Sequence, residues 1–165
     1  MKLTKLFSMQ AELDSFIQKN RDTNEDVFQS KGLALLVELA ELANETRSFK
    51  FWSSKGPSDI DVILEEYVDS IHFLLSLGIH LKFETTITNW PEGEVEGDLT
   101  ELFLKTTESI TYFLKELTIE SYSNVWIHYG SIAKKLGFTH DAIIEAYIMK
   151  NEENYNRQKS GYYSL

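Results

Sequence analysis

Only two prolines, Pro57 and Pro91, interrupt the 165 residues, and between them the apolar side chains recur at helical rather than alternating spacing. A chain with so few breakers and so little period-two alternation folds as helices, so the expected class is all-α: a helical bundle. The spacing predicts a first helix from Thr4 to Asn20, with Leu6, Met9, Leu13, Phe16 and Ile17 on one stripe, followed by the polar run Arg21-Asp22-Thr23-Asn24. A second helix runs from Ser30 to Lys50. The turn Ser53 to Ser58 carries Gly56 and Pro57, and Ser58 is placed to cap a third helix from Asp59 to Leu81. Residues Glu84 to Asp98 break the pattern with threonines, Pro91, Gly93, Gly97 and the acids Glu92, Glu94, Glu96 and Asp98, and read as a long mobile surface loop. Three more helices are expected: Thr100 to Leu117, Ser121 to Leu136 stopped by Gly137, and Asp141 to Lys159 capped by Thr139.

Composition narrows what such a bundle does. At 42% hydrophobic the chain can bury a core, and its length suits one domain, here 1–165. A formal charge of −10 argues against nucleic-acid or anionic-membrane partners. The absence of cysteine excludes disulfides, zinc-thiolate sites, iron-sulfur clusters and thiol nucleophiles. No apolar run approaches a membrane span and the start lacks a continuous apolar leader, so a soluble cytoplasmic protein is expected.

Two carboxylate pairs stand out: Glu38-x-x-Glu41 in the second helix and Glu66-x-x-Asp69 in the third. Residues three apart share a helix face, so antiparallel packing across the Ser53 to Ser58 turn would bring four carboxylates together. Such a donor set is all hard oxygen, suited to Mg²⁺ or Mn²⁺ rather than zinc. Against this, a chain with 18 glutamates yields roughly two Glu-x-x-Glu spacings by chance, and an acidic face is often just solvated. Favouring a site, no basic residue lies between Gly32 and Asn44, and both helices are otherwise apolar. Asp69-x-x-His72 has the ligand spacing of di-iron bundles, but no second carboxylate-x-x-His exists, which leaves His72 as a partly buried ring that could contact a sugar hydroxyl.

The last predicted helix presents Lys150, Asn154 and Arg157 at i, i+4 and i+7, a stripe that can grip a polyphosphate or merely be solvated. No P-loop or Rossmann glycine motif is present, so a triphosphate would have to be held by metal and side chains. Arg47-Ser48-Phe49-Lys50-Phe51-Trp52 reads either as a helix terminus with its plug or as a pocket wall beside the acids. Gln10, beside an apolar stripe, could read a base edge.

Glu38-x-x-Glu41 and Glu66-x-x-Asp69, separated by residues 42 to 65, resemble the signature of the all-α nucleoside triphosphate pyrophosphatase superfamily. The strings from Glu38 to Trp52, from Glu66 to His72 and from Tyr147 to Tyr162, with Met9-Gln10-x-x-Leu13-Asp14, are similar to the dimeric dUTPase family in the family's order. The resemblance implies a four-helix core and Mg²⁺-dependent hydrolysis of dUTP to dUMP and pyrophosphate, with dUDP also a substrate. It implies that Glu38, Glu41, Glu66 and Asp69 hold the ions and that Glu41 aids attack of water on the α-phosphorus. Gln10 would read uracil, His72 and Trp52 bound the nucleoside with Asn44 and Lys50 on the substrate side, and Lys150, Asn154 and Arg157 hold the phosphates. Two other readings stay open, a pyrophosphatase for another nucleotide such as dCTP and an acidic helical interaction module. A homodimer is expected from the family and from aromatics that exceed what one small core needs: Tyr122, Trp126 and Tyr129 with Ile127, and Tyr147, Tyr155, Tyr162 and Tyr163.

Overall fold

The computed structural model describes residues 1–22 and 25–161; the expected polar residues Thr23 and Asn24 and the tail residues Tyr162 and Tyr163 lie outside the described residues. Six helices follow in order: α1 (Thr4–Arg21), α2 (Phe28–Thr46), α3 (Ile60–His80), α4 (Leu99–Glu116), α5 (Ile119–Leu136) and α6 (His140–Lys159). No strand occurs among the described residues, and one isolated antiparallel bridge joins Lys2 to Asn89. The all-α expectation therefore holds.

α3 is the axis of the bundle because it is apolar around most of its circumference, burying Ile63, Tyr67, Val68, Ile71, Leu74, Leu75 and Leu77. α1, α2 and α6 pack on it as a four-helix core, and α4 and α5 form a hairpin whose first arm lies against α2. The space between α5 and α3 is filled by rings. Tyr122 donates to the Leu74 carbonyl (2.6 Å), Tyr67 donates to the Tyr129 carbonyl (2.7 Å), and Trp126 lies fully buried beside them. Those rings, with Tyr147, lie buried in the core of the single chain, so the excess of aromatics expected for an interface does not exist in α5. Tyr155 is half-buried against Phe16.

Two helix ends differ from expectation. α2 stops at Thr46 rather than Lys50, because Arg47 takes the left-handed conformation (φ 57°) and its N–H caps the carbonyls of Ala43 and Asn44. Its guanidinium then ties down the turn, donating to the Lys55 carbonyl (3.0 Å) and to Ser53 (2.8 Å). Ser58 does not cap α3, whose N-cap is Asp59. Its hydroxyl bonds instead to the Glu45 carboxylate and its N–H to the Glu45 carbonyl (3.0 Å), which pins the start of α3 to the end of α2. The expected caps Thr139 and Gly137 are in place, the threonine accepting from the Ala142 N–H (3.1 Å). Residues 84–98 lack a helix, as the pattern required, but they are anchored. Leu3 N–H donates to the Thr88 carbonyl, the Trp90 indole to the Trp126 carbonyl (2.8 Å) and Val95 N–H to Ser131 (2.9 Å).

Candidate active site

The Ser58–Glu45 tether makes α2 and α3 antiparallel, and that register sets Glu38 opposite Asp69 and Glu41 opposite Glu66. Carboxylate oxygens of Glu38, Glu66 and Asp69 lie within 4.8 Å of one another. Glu41 stands at the exposed edge of α2, where its charge adds to the crowding of Glu38 and Glu66. Three of the four acids found in sequence thus meet, with Glu41 beside them.

Convergence has an electrostatic cost that shows in their acidity. Burial, the charge of Asp69 and the crowding of Glu41 and Glu66 push the Glu38 carboxyl up to about 8. Burial and the same neighbours push Glu66 up to about 7. Asp69 rises to about 6, burial outweighing the opposing pull of Lys150. One buried oxygen each on Glu38 and Glu66 has no hydrogen-bond partner among the described residues. Hard, crowded, partly orphaned oxygens are a donor set that a divalent cation satisfies, so the residues fit Mg²⁺ or Mn²⁺.

A cleft of about 880 Å³ opens beside the cluster, bounded by α1, α3 and α6 and by the start of α2. Glu38 and Asp69 form its acidic end, and Gln10, Asp14, His72, Phe73, Asn154 and Arg157 belong to its wall. An opening of this size takes a nucleotide-sized ligand. Of the expected substrate residues, Gln10, His72, Asn154 and Arg157 are therefore brought together. Lys150 is not on that wall: its side chain turns inward and its ammonium pairs with Glu65 (2.7 Å), Glu153 (3.1 Å) and Asp69 (3.3 Å). Burial alone would lower its pKa, but these acids outweigh it and hold it protonated. Glu153 also accepts from Arg157 (2.6 Å), bridging two cations of α6.

Asn44, Lys50 and Trp52 are not brought to the cleft wall. Asn44 is exposed on α2, and Lys50 and Trp52 lie beyond the end of that helix, where Phe51 is 92% and Trp52 65% exposed. The early left-handed stop at Arg47 leaves Lys50 and Trp52 outside α2, whereas Asn44 stays within it on the exposed side.

The floor of the cleft is a buried polar network. Gln10 accepts from Tyr147 (2.8 Å) and contacts His72 Nδ1 (2.6 Å), and its amide nitrogen donates to Asp14 (2.9 Å). Ser76 donates to the other Asp14 oxygen (2.7 Å), and the His72 and Tyr147 rings stack at 4.3 Å. Burial, with Lys150 nearby, lowers the His72 pKa to about 3, so the ring is neutral. Asp14, Ser76, Glu65 and Glu153 were not assigned roles from sequence, and Tyr147 was assigned only to an interface. A signal existed for the first two: Asp14 follows Gln10 by four residues and Ser76 follows His72 by four, so each pair shares a face.

A family model described as dUTPase matches residues 2–162, nearly the whole chain. No curated protein matches it. No helix among the described residues is long and apolar enough to cross a membrane.

Proposed function

Because the chain belongs to the dUTPase family and is an enzyme that hydrolyses dUTP, we propose that it does so with Mg²⁺ held by Glu38, Glu41, Glu66 and Asp69. The observation that carries this reading is the meeting of Glu38, Glu66 and Asp69 within 4.8 Å at one end of a nucleotide-sized cleft whose wall also holds Asn154 and Arg157. Mn²⁺ meets the same donor set. When bound, the ion offsets the charge of the triphosphate and lowers the pKa of a neighbouring water.

The rest falls to the protein's own groups. Arg157 forks onto phosphate oxygens and Asn154 donates its amide protons, which holds the leaving pyrophosphate. Lys150, pinned among Glu65, Asp69 and Glu153, acts from behind the acids rather than as a free phosphate hand, balancing their charge. Glu41 is the general base: as the most exposed of the four acids it meets water entering the site and takes its proton. The water oxygen bonds to the α-phosphorus, the bond from that phosphorus to the β-bridging oxygen breaks, and dUMP and pyrophosphate leave. From dUDP the same attack releases phosphate.

Gln10 and His72 face the base end. The dimer and a cytoplasmic location belong to the same proposal, the dimer resting on the outer faces of α2 and α4 and not on the rings of α5. A panel of dUTP, dUDP, dCTP, dTTP and dATP, with released pyrophosphate or phosphate measured with and without millimolar Mg²⁺, tests it. Metal-dependent release strongest from dUTP is expected, and equal release from dCTP would sink the assignment of the base.

A further inference from the structure

The amide of Gln10 can sit in its network in only one orientation. Its nitrogen faces Asp14 Oδ1 at 2.9 Å, and a carboxylate accepts without donating. Turned the other way, the amide oxygen would meet that carboxylate, two acceptors facing each other. The Gln10 oxygen is therefore left to face both the Tyr147 hydroxyl (2.8 Å) and His72 Nδ1 (2.6 Å), and each of these must donate. A neutral imidazole carries one proton, so once Nδ1 holds it, Nε2 presents a lone pair. That Nε2 is buried and has no hydrogen-bond partner among the described residues. Both residues belong to the cleft wall.

We propose that Asp14 is a positioning residue: through Gln10 it locks His72 as the Nδ1-protonated tautomer, so that the base end of the cleft offers one amide N–H beside one imidazole lone pair. This pair complements an imide edge, in which a carbonyl oxygen accepts and the adjacent ring N–H donates. Uracil has that edge. Cytosine has the reverse, an amino group beside an unprotonated ring nitrogen, so donor would meet donor and acceptor would meet acceptor. Thymine shares the uracil edge, so the discrimination is against cytosine alone. Asp14 is itself held by Ser76 (2.7 Å) and faced by Lys31 (3.9 Å), and the two i, i+4 pairs, Gln10 with Asp14 on α1 and His72 with Ser76 on α3, bond directly to each other at the cleft floor. The specificity half of this proposal rests on the dUTP-hydrolysing reading; the tautomer half does not.

The test reads the ring first. In ¹⁵N-labelled full-length protein without nucleotide, the ring-nitrogen shifts of His72 should report Nδ1 protonated. D14A frees the Gln10 amide to turn and should move His72 toward the Nε2-protonated form. It should also narrow the dUTP over dCTP ratio of kcat/KM by at least about tenfold, with circular dichroism showing the helices retained. D14N should restore the Nδ1-protonated ring, because an amide oxygen still accepts from Gln10 while the Ser76 hydroxyl turns to accept from the new amide. A wild-type His72 protonated on Nε2 overturns the proposal without any variant having to fold. So does a D14A enzyme whose ring switches while its nucleotide ratio stays put. If wild type releases nothing from dUTP yet shows the Nδ1-protonated ring, the functional reading fails and the role of Asp14 in setting the tautomer stands.

Discussion

At Glu38 the site's electrostatic cost falls on one half-buried side chain, whose carboxyl is pushed up to about 8 by burial and by Asp69, Glu41 and Glu66. Glu66, pushed up to about 7, shares the load. The folded protein keeps protons on these groups well above the ordinary glutamate value of 4.5, where the unfolded chain has lost them. More protons are then bound in the folded state, so stability falls as pH rises. His72 works oppositely, since its lowered pKa makes stability rise with pH from about 3 up to its ordinary value of 6.5. Between pH 6.5 and 8 His72 no longer opposes the acids, and the metal-free protein should lose melting temperature across that window. E38Q should flatten the slope, and millimolar Mg²⁺ should reverse it by binding the ionised acids. A metal-free melting temperature that is level or climbs from pH 6.5 to 8 contradicts the crowded cluster. For turnover, E38Q, E41Q, E66Q and D69N should each lose at least about a hundredfold while keeping helical content, because an amide is a poor ligand for a hard dication. Two of the four retaining near wild-type pyrophosphate release would remove the four-acid site.

At the scale of elements, what could be read from sequence was whatever a helix encodes locally. Helical period and scarce prolines mark all six helices, Thr139 and Gly137 mark two ends, and the three-residue spacing of the acids puts each pair on one face. What escaped depends on partners far along the chain. Nothing local says that Arg47, a non-glycine residue, takes the left-handed cap that ends α2 before Lys50 and Trp52. Nor does a stripe of Lys150, Asn154 and Arg157 reveal that the lysine turns inward, since that follows from Glu65 and Asp69 arriving on α3. The α3–α5 contact is of this long-range kind as well. A Cβ built on Gly78 would overlap the Tyr122 hydroxyl, which is committed to the Leu74 carbonyl and enclosed by Phe83 and Phe113. The ring has no room to retreat, so Gly78→Ala should cost about 1–3 kcal/mol by overpacking, in spite of alanine's better helix propensity. Urea unfolding measures it, and a neutral or stabilising result would mean that α5 slides on α3 freely.

For the whole molecule the question is which surface is left to associate once the core is accounted for. The rings of α5 are spent inside the chain's own core, but α2 and α4 are not covered in the same way. They run antiparallel: Gly32 abuts Leu114 at one end, and Ser48 bonds to Thr100 (3.1 Å) at the other. Outward, α2 leaves Leu33 and Val37 exposed, and α4 leaves Leu104 (66% exposed) and Tyr112 (58%). Large apolar side chains on two adjacent helices make a surface that a twofold mate can cover with its own copy, and a stable interface needs roughly 800 Å² from each partner. The protein should therefore scatter light at twice 19.1 kDa at micromolar concentration. L104D combined with V37D should shift it toward monomer, because each buried aspartate lacks a partner in a self-complementary contact. These positions stand on the outer faces of their helices, so the variant should retain Mg²⁺-induced stabilisation of the four acids whatever its activity. A wild-type mass near 19.1 kDa across the dilution series, with full turnover, would remove the dimer and leave these residues as ordinary exposed surface.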